Sequence, residues 1–250
     1  MDLTAYLKRI NYTGPLEPTA ETLRGLHRAH MLLVPFENLD IHWGNEIVLD
    51  QMRIVSKIVE ARRGGFCYEL NGAFAALLGG LGFDVKLLSA AVAKESGGFG
   101  PPFDHLALLV ELNERWLADV GFGDTFVEPL LLDETGEQIR EGRAYRISRS
   151  MDDLLLERRE DELWRPQYRF TLRPYRLADF AEMCIYHQTS PDSPFTRKRV
   201  CTLATPGGRI TLSEDRLIIT GDGERSEQRL VDEAEHATAL REYFGVERGF

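Results

Sequence analysis

The chain has 250 residues, a formal net charge of −10 at pH 7, and 43% hydrophobic and 28% charged side chains. This is ordinary globular usage, with enough apolar material for one large core or several small ones, and the acidic balance argues against non-specific nucleic-acid binding. No apolar run approaches the ~20 residues of a membrane span, the opening Met1-Asp2-Leu3-Thr4-Ala5-Tyr6-Leu7-Lys8-Arg9 lacks the basic-then-apolar layout of a secretory signal, and three cysteines are too few and odd in number for a disulfide framework. A cytoplasmic protein without membrane, nucleic-acid or metal partners is expected.

The first third reads as helical. Leu3, Leu7 and Ile10 mark one short helix, and Thr19 is placed to N-cap a second one carrying Leu23, Leu26 and His30. His27 and His30 share a face of that helix, but no third ligand is near in sequence, so the pair reads as packing rather than as a metal site. Residues 54–61 form a third helix. A fourth follows Cys67, with Leu70, Ala73, Phe74, Leu77, Leu78 and Leu81 at helical spacing, and stops at Gly79-Gly80 or Gly82. From about Phe83 the pattern changes to strands at 85–92, 103–110, 116–123, 144–147, 154–157 and 168–172, most simply a small antiparallel barrel or curled sheet. After Pro174 a helix over 177–186 leads to strands at 200–203, 209–213 and 216–220 and a closing helix at 233–244. The expected fold class is α+β in three parts: 1–82 helical, 83–173 the barrel, and 174–250 a connecting helix with an α/β portion.

The chemistry concentrates in Arg63-Gly64-Gly65-Phe66-Cys67-Tyr68-Glu69-Leu70-Asn71. Cys67 falls at the start of a helix, where free N–H groups and the helix dipole favour an anion and lower a thiol pKa. Phe103-Asp104-His105 opens one strand, Trp116 to Gly123 reads as the next, and Asn113-Glu114 is the turn between them. That hairpin brings His105 and Asp119 onto neighbouring strands, so an imidazole oriented by a carboxylate can serve Cys67. Glu37 and Arg63, each among apolar or small neighbours, suit a buried ion pair fixing the glycine loop beneath Cys67. The loop 95–102 is too rich in glycine for regular structure, and its amides suit close approach to a pyrophosphate or thioester carbonyl.

Together with Pro35-Phe36-Glu37-Asn38-Leu39-Asp40 and Tyr186-His187-Gln188-Thr189-Ser190-Pro191-Asp192-Ser193-Pro194-Phe195, these segments resemble, in order and spacing, the arylamine N-acetyltransferases. The resemblance implies a helical bundle, a β-barrel and an α/β lid around a cysteine-protease-like Cys-His-Asp core, with Cys67 as acyl-accepting nucleophile, His105 as base and Asp119 orienting the histidine. It implies acetyl-CoA as donor, an arylamine or arylhydrazine as acceptor and a ping-pong route through acetyl-Cys67. It places Gly97, Gly98, Phe103, Tyr186, Thr189 and Ser190 at the coenzyme, and Phe36, Phe66 and Phe126, with Phe103, at the acceptor pocket. Arg197-Lys198-Arg199 is a candidate for a coenzyme phosphate, and the part following Phe244 is expected to be shorter than in many relatives. Three alternatives stand beside this: an amide synthase closing a macrolactam from a carrier-protein thioester, a thiol hydrolase or transglutaminase-like enzyme, and a binding protein on the same scaffold.

Overall fold

A computed structural model describes residues 1–150, 153–221 and 223–247. The first segment folds into α1 (Leu3–Arg9), α2 (Ala20–Leu33), α3 (Leu39–Trp43), α4 (Gln51–Val59) and α5 (Cys67–Gly80), with a two-residue strand, β1 (Phe36–Glu37), before α3. Side-chain caps start three of the helices: Asp2 accepts from the Ala5 N–H at 3.0 Å, Thr19 from Thr22 at 3.2 Å and Asp50 from Arg53 at 2.9 Å. α5 is buried on nearly every side through its first two turns, as its apolar composition requires of a central helix. It ends at Gly80, and Gly82 turns the chain with φ +92°.

Eight antiparallel strands follow: β2 (Asp84–Val92), β3 (His105–Glu111), β4 (Arg115–Ala118), β5 (Leu130–Leu131), β6 (Gln138–Arg140), β7 (Arg143–Ser150), β8 (Asp153–Glu160) and β9 (Leu163–Tyr175). Their order is β5-β4-β3-β2-β9-β8-β7-β6, and the two edges meet through Gln138, whose amide exchanges hydrogen bonds of 2.8 and 2.9 Å with the Leu131 backbone, so the sheet is nearly closed. β9 runs well beyond the expected 168–172 because its prolines fall at irregular points. Pro166 pairs beside a register shift at Leu156/Glu157, and Pro174 beside one at Leu88/Ala90. β3 is buried on both faces: Leu106, Leu108 and Val110 join the helical core, while Ala107 and Leu109 join the barrel core.

A 3₁₀ turn over Leu177–Phe180 leads into α6 (Ala181–Thr189), α7 (Pro194–Arg197), β10 (Val200–Thr205), β11 (Gly208–Ser213), β12 (Arg216–Gly221), β13 (Glu224–Arg229) and α8 (Glu233–Phe244). β13 is exposed and carries charged or polar side chains throughout, so no alternation marks it in the sequence; it closes one edge of the second sheet. The other edge is β1. Phe36 pairs with Thr202 and Glu37 with Cys201, and Phe36 also bridges to Gly65 on its other side. The helical segment therefore contributes a strand to the C-terminal sheet. Among the described residues, no helix is long and apolar enough to cross a membrane.

Close neighbours explain the paired glycines before Cys67: Gly64 faces the Pro35 backbone that leads into β1, and Gly65 faces the Glu69 side chain. A Cβ on Gly64 would lie 1.9 Å from the Pro35 carbonyl oxygen, whereas one on Gly79, late in α5, meets nothing within 4 Å. Gly64→Ala should lower stability by more than ~2 kcal/mol through backbone displacement, and Gly79→Ala should raise it by ~0.5–1 kcal/mol. Denaturant midpoints of the two variants check this, and equal midpoints would contradict the close approach.

Candidate active site

Cys67 is the first residue of α5, and its seat is set by buried charges beneath it. Arg63 donates to Glu37 Oε1 from Nε and Nη2 at 3.0 and 2.7 Å and to Asp40 Oδ1 at 3.1 Å, and its guanidinium stacks over Trp43 at 4.5 Å. The expected Glu37–Arg63 pair is thus part of a larger network. Lys57 reaches Asp40 at 2.6 Å and Glu69 at 2.7 Å, and Glu69 Oε2 accepts the Phe66 N–H at 3.1 Å, capping α5 one residue before the thiol. Burial opposes the charge on Lys57, but Glu69, Glu37 and Asp40 hold its ammonium above the usual range. Burial likewise opposes the Asp40 carboxylate, which Lys57 and Arg63 hold below its ordinary value.

Opposite this loop the hairpin delivers the other two groups. The His105 Nε2 lies 2.7 Å from Asp119 Oδ2. Asp119 is wholly buried, and burial raises its carboxyl, yet His105, Asn71 and the Gly121 N–H together bring it below the ordinary value. An ionised Asp119 accepts the Nε2 proton, which leaves Nδ1 as the basic nitrogen of His105. Asp119 Oδ1 takes the Asn71 amide at 2.9 Å and the Gly121 N–H at 3.0 Å. Asn71 stands one helical turn beyond Cys67 on the same face. It also donates to the Leu106 carbonyl at 2.6 Å and accepts from the Val120 N–H at 2.9 Å. A Cβ on Gly121 would lie 2.8 Å from the Cys67 Cα, so the backbone after Asp119 rests directly on Cys67.

The sequence places strand through 123, but the ladder stops at Ala118. The reason is His27: its Nε2 accepts the Asp119 N–H at 3.1 Å, and its Nδ1 donates to the Val127 carbonyl at 2.9 Å. The face of α2 shared by His27 and His30 is thus a support for Asp119 and a core contact. His30 packs against Tyr6 and Phe74. On the barrel side the His105 ring meets Phe122 and Tyr168, each with centroids 5.1 Å away. Before it, Phe103 is held at φ +65°, with its N–H donating to Ser89 Oγ at 2.8 Å and its carbonyl accepting the Tyr68 hydroxyl at 2.7 Å.

Cys67 is 3% exposed and His105 2%. Burial pushes the Cys67 thiol well up, the Asp119 and Asp104 carboxylates push the same way, and a backbone hydrogen bond from Leu106 opposes them. Burial thus works against the helix N-terminus at this thiol, and a cation beside the sulfur would favour the thiolate. Cys184 and Cys201 are buried core thiols. Burial pushes Cys184 up to about 12, and Cys201 also goes well up.

The remaining expected contacts divide by depth. Gly97 and Gly98, at φ +89° and +75°, turn an exposed loop in which the Gly97 N–H donates to the Lys94 carbonyl. Tyr186, Thr189 and Ser190 are on the surface at the end of α6. Phe103 lies deeper, edge-on to Tyr175 and Phe180 at 4.8 and 5.2 Å. Phe36 and Phe66 share a cluster with Phe195, at 6.2 and 5.6 Å, whereas Phe126 packs in the barrel core between His27 and Tyr145. Arg199 is paired with Glu233, and Arg197 donates to the Ser193 and Asp192 carbonyls. His187, which the sequence reading left without a role, is buried between Phe66, Tyr68 and Phe195, with Nε2 3.3 Å from Asp104 and Nδ1 3.2 Å from Ser193 Oγ. It ties the 186–195 segment to the residue preceding His105. Among the described residues, no group of three or more His, Cys, Asp or Glu is arranged to hold a metal ion.

Burial lowers His27 from 6.5 to about 4, against the upward pull of its bonds to Val127 and Asp119, and lowers His30 well below 6.5, helped by His27 and Arg9. Both values are depressed, so the unfolded chain takes up protons that the native protein does not. Their contribution to stability is complete above pH ~6.5 and is lost as the pH falls toward ~4. His30→Leu should flatten the decline of melting temperature across this window and raise the value at pH 5; an unaltered slope would disprove the neutral His30.

Residues 19–249 match the N-acetyltransferase family model. Over 248 residues the chain is 36% identical to the arylamine N-acetyltransferase of Escherichia coli K12, covering 98% of this chain and 88% of that protein. The structure of the Salmonella typhimurium arylamine N-acetyltransferase superimposes with a TM-score of 0.93 at 32% identity, covering 98% of this chain and 90% of that one. The Mycobacterium marinum enzyme in complex with CoA gives 0.91 at 32% identity, with 98% and 93% covered. With its α+β architecture and full-length similarity to these transferases, the chain belongs to the arylamine N-acetyltransferase family.

Proposed function

We propose that the protein transfers an acetyl group from acetyl-CoA to an arylamine or arylhydrazine in two displacements through Cys67. The observation that carries this is the 2.7 Å His105–Asp119 contact, held by Asn71 from the helix that Cys67 begins. His105 Nδ1 takes the Cys67 proton, and the new imidazolium is the cation that a buried thiolate requires. The proton stays within the group, so the net charge of the buried cluster is unchanged. The Cys67 sulfur then attacks the thioester carbonyl, and the Cys67 N–H at the start of α5 faces the developing oxyanion. As the new carbon–sulfur bond forms and the old one breaks, His105 returns its proton to the departing sulfur. In the second half-reaction His105 accepts a proton from the attacking amine, a carbon–nitrogen bond forms, and Cys67 leaves as thiolate.

The bound coenzyme supplies an activated acetyl thioester. Gly97, Gly98, Phe103, Tyr186, Thr189 and Ser190 would hold it, since Gly100 of the loop and His187 of α6 both approach the Asp104 carboxylate, one residue before His105. This reading is supported by the CoA complex of the M. marinum relative. Phe36 and Phe66 would line the acceptor side; Phe126 is farther off, in the barrel.

Wild-type protein mixed with acetyl-CoA should gain the mass of one acetyl group, and Cys67→Ser should gain none and lose arylamine turnover while keeping its melting temperature. Double-reciprocal plots at several acetyl-CoA concentrations should be parallel. Near wild-type turnover by Cys67→Ser, or intersecting lines, would defeat the mechanism. Iodoacetamide should alkylate the wild type well below pH ~8.5, and Asp119→Asn should slow that reaction at least about tenfold by misdirecting the imidazole. Indifference to Asp119 would defeat the ion pair.

A further inference from the structure

Where the barrel, the loop after Asp119 and the C-terminal sheet meet, four guanidiniums gather: Arg140 on β6, Arg143 on β7, Arg158 on β8 and Arg209 on β11. Three of them share one carboxylate. Arg143 and Arg209 donate to Asp124 Oδ1, the latter at 3.1 Å, and Arg158 donates to Oδ2 at 3.2 Å. Arg158 has a second partner in Glu160, but Glu141 at the same corner is taken by Arg28, and Arg140 donates to the carbonyls of Pro129 and Ile139 and to the Gln138 amide oxygen. Arg209, only 9% exposed, completes its contacts on Thr202 Oγ1 at 3.1 Å. Burial lowers its pKa and Arg143 adds to that, against the upward pull of Asp124.

Arg140, Arg143, Arg209, Thr125 and Tyr145 line a cavity of about 40 Å³ here, together with Glu141, whose carboxylate is held by Arg28. The Thr125 hydroxyl is buried without a hydrogen-bond partner, and the Tyr145 hydroxyl, beside Arg143, lacks one of good geometry. Buried hydroxyls are normally satisfied. The space suits roughly three water molecules or a single tetrahedral oxyanion. Water would satisfy the hydroxyls but leave buried Arg209 and the partly exposed guanidiniums beside it sharing one carboxylate. An oxyanion answers both, because guanidinium forks match its oxygens and the hydroxyls supply further donors. The clustering is local, in a chain whose net charge is −10.

We propose that this junction is an oxyanion site that takes a phosphate group. Two sources share that chemistry, orthophosphate and the phosphates of coenzyme A, and only the second rests on the acyl-transfer reading. Asp124 is three residues beyond the glycine that rests on Cys67, so the site belongs to the same junction as the nucleophile.

The test is thermal melting of the full chain with orthophosphate titrated at constant ionic strength. The melting temperature should rise saturably, by roughly 3–6 °C at ten times the dissociation constant. Arg143→Gln should abolish the rise, Thr125→Val should weaken phosphate affinity several-fold, and Arg225→Gln, on exposed β13, should leave it intact. Arg143 is half exposed, and Thr125→Val keeps side-chain shape, so the test does not depend on replacing buried Arg209. No rise in the wild type, or a rise that both Arg143→Gln and Thr125→Val retain in full, overturns the proposal. Displacement of radiolabelled orthophosphate then assigns the source. Displacement by coenzyme A but not by 3′-dephospho-coenzyme A supports the site and assigns its 3′-phosphate, displacement by both assigns the pyrophosphate, and displacement by neither assigns free orthophosphate. A phosphate response without an acetyl-Cys67 adduct would defeat only the acyl-transfer reading, and an adduct without a phosphate response would defeat only this site.

Discussion

The carboxylate of Asp119 is the interaction on which the arrangement depends. It is fully buried, and a buried charge is tolerated only when its lone pairs are occupied. Each partner comes from a different part of the chain: His105 from β3, Asn71 from α5, and the Gly121 N–H from the loop leading back toward the C-terminal sheet. Its own N–H goes to His27 on α2. The helical segment and the barrel are thereby docked by hydrogen bonds to one residue, and the docking fixes the imidazole relative to α5. Removal of any one partner leaves the others around an undersatisfied charge.

The ion network below Cys67 solves a different problem. Glu37, Asp40 and Glu69 face Lys57 and Arg63, an acidic excess of one, and it holds in place a loop whose glycines leave it few side-chain contacts of its own. Such a network adds little net stability compared with apolar packing. What it provides here is position, because Glu69 caps the helix that carries the thiol and Glu37 accepts the Leu39 N–H at 2.8 Å, where α3 begins.

What the sequence made legible was local. The helix after Cys67 and the hairpin carrying His105 follow from spacing and turn chemistry within short windows, the Glu37–Arg63 pair follows from charged residues set among apolar or small neighbours, and the ordered motifs carried the family. The supports were not legible because they join distant segments. His27 and Asp119 are 92 residues apart, Arg209 and Asp124 85, and His187 on α6 reaches Asp104 just before β3. Asn71 stands inside the Cys67 motif, but nothing in an amide at a helix position announces a partner on a strand 35 residues away. The thiol position was legible and its burial was not, since the helix start is a local feature while desolvation depends on everything packed around it.

The two-residue strand β1 is hydrogen-bonded to β10 on one side and bridged to Gly65 on the other, and Gly65 is two residues from Cys67. The C-terminal sheet is consequently not a detachable module. A force that pulls it from the barrel acts through Phe36 on the loop that seats Cys67, so a chimera that imports a C-terminal portion from a relative has to preserve the backbone pairing at 36–37 with 201–202. Sequence identity in the transplanted part matters less than the register at that one short edge.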